Sequence, residues 1–394
     1  MAFAVLPLRV AGGHKSLFLT AALGEAFSPP AWVTIICFEF HKSDAIGRES
    51  EFMKAIRIHA HGGLEQLRVD EMNVPQPGPG QVLVEIKAAA LNHLDIWVRK
   101  GLPGLRLPLI LGSDGSGVVQ EVGSGVTQFA VGDKVVAQPG YGCGLCQTCL
   151  SGKENYCLKY GIIGEHHDGV QAQSVVLDED KTLRMASNLS FEEAAAIPLV
   201  YMTAWEMLVN KCAVKPGDTV LVMASSSGVG SAAVQIAKVH GARVIATAGT
   251  AKLEKARALG AEFVLDHYQQ DIAKEVKKIT DGLGCDIVVD HVGAATWQAS
   301  LRSLGKGGKL VFCGATTGPE VSMDLRFLYI RQQAILGSTM GTRSDLFQVM
   351  RLVEAGKLRG VVDDKIFPFT EVAQAHQYLE SGQHFGKVIL SFAT

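Results

Sequence analysis

The chain has 394 residues, 47% of them apolar, enough for two or three domains with sizeable cores. A net charge of −2 gives no basic surface to recruit nucleic acid or an acidic membrane. No apolar run reaches the ~18 residues that a membrane span needs.

Residues 1–52 carry few charges and no clear periodicity, and Pro29-Pro30 breaks them. They are expected to be a disordered or non-native extension, with a targeting segment or a packed extension as alternatives. Met53-Lys54-Ala55-Ile56 opens a strand. Residues 53–199 then alternate strand-like runs, Val82–Ala88, Gly117–Val122 and Lys134–Ala137, with Gly/Pro turns, and read as an irregular β-rich domain.

Within this domain Cys143, Cys146, Cys149 and Cys157 follow the pattern Cys-x-x-Cys-x-x-Cys-x7-Cys. Four soft thiolates give zinc a closed tetrahedral shell that holds a loop and leaves no position for substrate. An iron–sulfur centre needs a closer fourth cysteine followed by proline, and Leu158 follows here. A redox dithiol or an emptied lobe is the alternative. Clustered cysteines of this kind imply a reducing, cytoplasmic compartment. The Glu165-His166-His167-Asp168 loop is a candidate proton donor or a solvated loop. Ser190-Phe191-Glu192-Glu193 has capping-box spacing and starts a helix through Ala196.

Residues 200–336 centre on Thr219–Lys238, a short apolar β-rich run, a turn of small residues and a helical repeat of apolar positions. Such a turn lets backbone N–H groups at a helix start approach a diphosphate. Ser225, Ser226, Ser227, Gly228, Val229 and Gly230 are the candidate cofactor-binding residues, Gly228 for close approach and Gly230 for packing. Strands are predicted at Arg243–Thr247, Glu262–Leu265, Cys285–Asp290, Lys309–Cys313 and Ala334–Thr339. Helices are predicted at Lys252–Leu259, up to Ile279, and at Thr296–Leu304, with a Gly305–Gly308 turn after the last. This alternation is that of a doubly wound parallel sheet binding a dinucleotide at its C-terminal strand ends. No carboxylate ends the second strand, Lys252 is placed to pair with a 2′-phosphate and Thr250 to donate a hydrogen bond, so the expected cofactor is NADPH. Residues 337–394 continue as helix (Ser344–Glu354), strand (Val362–Phe367), helix (Val372–Glu380) and strand (Lys387–Ser391).

The order of these parts, with Pro108–Gly117, the cysteine lobe, Ala224–Gly230, Asp290-His-Val-Gly293 and Gly386-Lys-Val-Ile389, resembles the medium-chain dehydrogenase/reductase superfamily from Met53 to about Leu390. Within it the chain looks like the branch of quinone oxidoreductases and zinc-binding dehydrogenases. The resemblance implies an α/β fold: a GroES-like β-rich catalytic domain plus a Rossmann domain, with residues 337–394 returning to the first domain and the active site in the cleft. It implies a homodimer or homotetramer acting on a small molecule. It places Thr203 and Val292 beside the cofactor, and Gly314 against the nicotinamide carboxamide. The tyrosine that NADPH-dependent quinone reductases carry falls on His267, with Tyr268 one residue away.

Alcohol dehydrogenases of this superfamily also hold a catalytic zinc. The matching ligand positions here are Asn92, Ser113 and Leu199, which are weak or impossible ligands. Asn92-x-x-Asp95 instead resembles the zinc-free reductases, with Asn92 orienting a carbonyl oxygen and Asp95 supporting the pocket or relaying a proton. The expected activity is NADPH-dependent reduction of quinones or α,β-unsaturated carbonyls. The alternatives are an alcohol dehydrogenase with a metal site rebuilt from His93, Asp114, His166 and His167, or a crystallin-like NADPH-binding protein without enzymatic use.

Overall fold

The computed structural model describes residues 5–7, 18–20 and 52–392. Val5–Pro7 and Phe18–Thr20 pair as two short antiparallel strands in a unit of their own, residues 1–48. The other expectations for residues 1–51 lie outside the described residues.

The main unit holds two large sheets. One is a six-stranded, wholly parallel sheet in the order Phe263–Asp266, Arg243–Ala248, Thr219–Val222, Cys285–Asp290, Leu304–Phe312, Ala334–Gly337. Its central strands are continuous apolar runs because helices cover both faces, and Val220, Leu221, Val222, Val288 and Val289 are all fully buried. The other is a seven-stranded mixed sheet built around Gln81–Ala90, which pairs antiparallel with Asp114–Val122, Ser174–Asp178 and Lys387–Ser391. The last two strands of the chain, Val362–Pro368 and Lys387–Ser391, therefore complete the sheet begun by residue 81. A three-stranded sheet, Arg68–Asn73, Phe52–Ile58 and Leu109–Ile110, packs beside it.

Helix Pro198–Trp205 joins the two halves. It is apolar on every side, as a helix buried all round must be, and it packs on helices Gly228–Val239 and Arg343–Glu354. The expected boundary at 199/200 runs through this helix, and that at 336/337 through strand Ala334–Gly337.

Several elements differ from expectation. Gly305–Gly308 lies within strand Leu304–Phe312, yet the pairing jumps from Cys285–Leu304 to Ile287–Lys309, so the glycines bulge out of the ladder. The predicted helix 252–259 is a 3₁₀ turn, Thr250–Lys252, followed by Leu253–Ala258. Helices His93–Lys100 and Leu325–Arg331 were not read from the sequence. No helix of the described residues is long and apolar enough to cross a membrane.

Candidate active site

The two sheets face one another across a cavity of about 350 Å³. Asn92 and Lys387 line it from the mixed-sheet half, and Ser227, Gly228, Val229, His291 and Gly314 from the ends of the parallel strands. Thr203 and Leu199, on the bridging helix, close the wall.

The small-residue turn after Thr219–Val222 is fixed by backbone and hydroxyl bonds. Ala224 takes a left-handed conformation (φ 47°) and its N–H donates to Thr247 Oγ1 at 2.9 Å. Ser225, fully buried, donates from its hydroxyl to the Thr247 carbonyl at 2.9 Å. Ser227 caps helix Gly228–Val239, its Oγ accepting from Gly230 N at 2.9 Å and sharing a 2.7 Å hydrogen bond with His291 Nε2. A Cβ on Gly230 would lie 2.4 Å from the Ala224 carbonyl oxygen, so only glycine lets the helix start so close to the turn. A Cβ on Gly228 would fall 2.8 Å from Lys387 Cδ and 2.9 Å from Val200 Cγ1, so glycine here makes room for the Lys387 stem to pass over the turn. The donor set and the room suit a dinucleotide diphosphate at a helix N-terminus. Of the expected cofactor residues, Thr203, Ser227, Gly228, Val229 and Gly314 reach the cavity. Ser225, Ser226 and Gly230 are buried in the turn beneath them. Val292 sits behind it, its N–H bound to Asp290 Oδ1 at 2.8 Å.

At the second-strand end the expected cofactor residues have partners within the fold. Thr250 donates its hydroxyl to Asp266 Oδ2, a carboxylate at the end of the next strand. Lys252 Nζ donates to the carbonyls of Gly382 at 2.5 Å and His384 at 2.7 Å. The Thr250 hydroxyl is committed to Asp266, and two of the three Lys252 N–H donors are committed to carbonyls, which leaves one. His267 and Tyr268 stack edge to face at 4.4 Å, and a Cβ on Gly249 would meet the Tyr268 ring at 2.9 Å. The aromatic group over this strand end is thus Tyr268, and His267 stands at its edge.

Asn92 and Leu199 meet in space, on Asp114, and Ser113 does not join them. Asn92 Nδ2 donates to Asp114 Oδ2 at 2.9 Å, and Leu199 N donates to Asp114 Oδ1 at 2.8 Å. Lys387 Nζ donates to Asp114 Oδ2 at 2.8 Å and also to Asn92 Oδ1. Ser113 turns away and donates to the Ile163 carbonyl at 2.8 Å. Asn92 is therefore not an isolated carboxamide facing substrate but one arm of a buried Asn92–Asp114–Lys387 network. Asp95 is fully buried and does not line the cavity. It closes a capping box, accepting from Asn92 N at 2.7 Å, and burial pushes its carboxyl up to about 7 against the pull of that amide. Its place is that of a positioning group behind Asn92.

Burial shifts the remaining titratable groups on the wall. Burial lowers His93, and it lowers His291 and His384 each to about 4. Burial also raises Glu165, the carboxyl of the loop flagged in the sequence.

The four cysteines, at positions 143 to 157, converge just upstream of that loop. All four Sγ atoms lie within 4.8 Å of one another, with Cys146 at 3.5 Å from Cys149 and 3.7 Å from Cys157. Tetrahedral Zn–S bonds of about 2.3 Å put sulfur atoms about 3.8 Å apart, so the set fits zinc. Backbone N–H groups of Cys143, Cys146 and Lys159 point at sulfur at 3.3–3.4 Å, which favours thiolate. Among the described residues this is the one group of three or more ligating side chains close enough to share an ion. The rebuilt site from His93, Asp114, His166 and His167 is not assembled.

Lys387 and the role of Asp114 in this network were missed from the sequence. The signal was present as Gly386-Lys-Val-Ile389, but nothing local says that the side chain crosses the cleft.

Residues 78–187 match the alcohol dehydrogenase GroES-like domain, and residues 228–355 the zinc-binding dehydrogenase domain. A zinc-type alcohol dehydrogenase-like protein of Schizosaccharomyces pombe is 34% identical over 85% of this chain and 99% of its own length. A quinone oxidoreductase of Pseudomonas aeruginosa is 32% identical over 86% of this chain and 99% of its own. The crystal structure of an NAD-dependent alcohol dehydrogenase, 50% identical, superposes with a TM-score of 0.84 over 86% of this chain and all 100% of that one. With the two domain types in this order and a relative covered end to end, the chain belongs to the medium-chain dehydrogenase/reductase superfamily of oxidoreductases, in its zinc-binding dehydrogenase branch.

Proposed function

We propose that the protein reduces quinones or α,β-unsaturated carbonyl compounds by direct hydride transfer from NADPH, with zinc confined to the cysteine lobe. The observation that carries this is the fate of Asn92, Ser113 and Leu199: each is a poor or impossible ligand, and the first two are already spent on protein partners. A substrate whose carbon is already electrophilic needs only its oxygen hydrogen-bonded as charge develops. The nicotinamide supplies the hydride when bound; the chain's part is to seat it along Gly228–Val229, hold the acceptor against it and keep water out. An alcohol oxidation would instead need a group that makes an alkoxide. Four thiolates in one lobe suit a reducing, cytoplasmic setting.

Purified protein given reduced cofactor should turn over a quinone or an enone at least tenfold faster than it oxidises ethanol. A chelator that strips loosely held metal but spares the lobe should leave that reduction intact. Ethanol oxidation that dominates and depends on added zinc would refute the reading.

The cofactor's third phosphate is supported by the absence of a carboxylate on strand Arg243–Ala248 itself and by Lys252 and Thr250 beside it. A specific observation favours NADH instead, namely that both side chains are engaged and that Asp266 stands at the neighbouring strand end. Lys252→Ala decides between them. It should raise KM for NADPH by about tenfold, the loss of one charge-assisted contact, and leave NADH nearly unchanged. Equal effects on both would reject NADPH as the preferred donor.

The substrate-free face beside edge strand Ala334–Gly337 carries Leu325, Phe327, Tyr329 and Ile330, each at least 60% exposed. An apolar patch next to an unpaired strand edge marks an association surface. A second copy of the chain is the proposed occupant. Sedimentation should give at least twice the monomer mass, and Phe327→Glu combined with Ile330→Glu should return it to one.

A further inference from the structure

Lys387 is the first residue of the last strand, and its side chain is 3% exposed. Its stem lies over Gly228, where any Cβ would meet it at 2.8 Å, and its ammonium ends among the positions of Asn92 and Asp114. Two of the three ammonium N–H bonds are committed, to Asn92 Oδ1 and to Asp114 Oδ2, which leaves one for a ligand. Asp114 accepts three hydrogen bonds, from Lys387, Asn92 and Leu199. The only other charged side chain on the cavity wall is Glu165, and the three wall histidines are not cations.

We propose that Lys387 is a catalytic residue, the fixed cation that hydrogen-bonds the substrate carbonyl oxygen and stands where a metal-dependent relative would hold its ion. The inference rests on the proposed quinone and enone reduction and deepens it. As hydride leaves reduced nicotinamide for the β-carbon, a C–H bond forms there and the C=C π pair moves to make an enolate. The carbonyl C=O opens to C–O⁻, and the remaining Lys387 N–H donates to that oxygen. The enolate then takes a proton from water at the α-carbon, the C=O re-forms and Lys387 stays protonated. The products are the saturated carbonyl and oxidised nicotinamide. Asn92 and Asp114 are positioning residues in this scheme. Holding a buried ion pair costs desolvation that a hydrophobic pair would avoid, so its presence at the cleft calls for use.

The test compares the unchanged protein with Lys387→Met, Lys387→Arg and the double variant Asp114→Asn/Lys387→Met. The double variant removes both charges and leaves no orphaned carboxylate. Its melting temperature should stay close to that of the unchanged protein, which keeps the test valid if Lys387→Met alone unfolds. With cyclohexenone as acceptor, kcat should fall about 10²- to 10³-fold in both Met variants, the usual loss for a removed oxyanion donor. Kd for NADPH, read by fluorescence, should move less than threefold, and Lys387→Arg should recover at least a tenth of the original kcat. Retained kcat in the double variant, or a tenfold weaker Kd for NADPH with kcat unchanged, would overturn the proposal. The second result would make Lys387 a cofactor-phosphate contact. If the unchanged protein turned over no enone or quinone at all, the functional reading would fail and take this inference with it.

Discussion

Gly230→Ala should abolish cofactor binding and visibly destabilise the protein. The added methyl would sit 2.4 Å from the Ala224 carbonyl oxygen, 2.8 Å from Ser225 Cα and 2.9 Å from Ser227 Oγ. Two of these are backbone atoms. Ala224 already occupies the left-handed region, and Ser225 is pinned to Thr247 through both N–H and hydroxyl, at 2.8 and 2.9 Å. Relief must come from moving the start of helix Gly228–Val239, which also breaks the Ser227 cap. Overpacking of this kind costs about 1–3 kcal/mol. Affinity for the dinucleotide should drop at least about a hundredfold, since the helix start is the diphosphate site. Gly228→Ala is the comparison for stability, because its methyl meets side chains, the Lys387 stem and Val200 Cγ1, rather than backbone. Thermal melts and a cofactor titration read both quantities. A Gly230→Ala protein that bound cofactor within threefold of the parent would show that this turn does not hold the diphosphate.

The second large effect is expected at the cysteine lobe. Purified protein with reduced thiols should carry one zinc per chain, and Cys146→Ser should carry close to none. Cys146 lies within 3.5–3.7 Å of two other sulfurs, and the Thr148 hydroxyl draws its thiol down to about 6. The lobe has little apolar packing of its own. Leu145, Leu150 and Leu158 point into solvent, so no core replaces the ion once a ligand is lost. Proteolysis should then cut between 143 and 157 while the rest of the chain resists. Plasma emission spectroscopy and limited digestion measure the two outcomes. Full-length protein lacking zinc, with all four thiols titratable and the lobe uncut, would contradict the assignment.

The parallel sheet was legible because burial on both faces writes itself as unbroken apolar runs; its strand Cys285–Asp290 matches the predicted limits. Helix Leu325–Arg331 was not, because its large apolar residues face outward and leave no inward stripe to read. The cysteine lobe was legible because its ligands are close in sequence. Thr250 and Lys252 were read as free because sequence shows which groups stand at a strand end but not what they turn toward. The partners they found, Asp266 and the carbonyls of 382 and 384, come from other strands and from the tail. Asn92 was correctly singled out as a cleft residue, yet its environment depends on Asp114 and on Lys387, which are 22 and 295 positions away.

That last separation has a consequence for how the enzyme comes into being on the ribosome. Lys387 lies in the final strand, and that strand fills the gap beside Ala88–Ala90 in a sheet whose first five strands, between residues 81 and 184, are made roughly 200 to 300 residues earlier. During synthesis the first sheet must wait with this edge unpaired while the whole parallel-sheet domain is translated and folds. Contacts of such long range are slow to close, and an open strand edge in the meantime is a target for chaperones. A nascent chain that stops short of residue 387 can own a finished nucleotide fold and still have no working cleft.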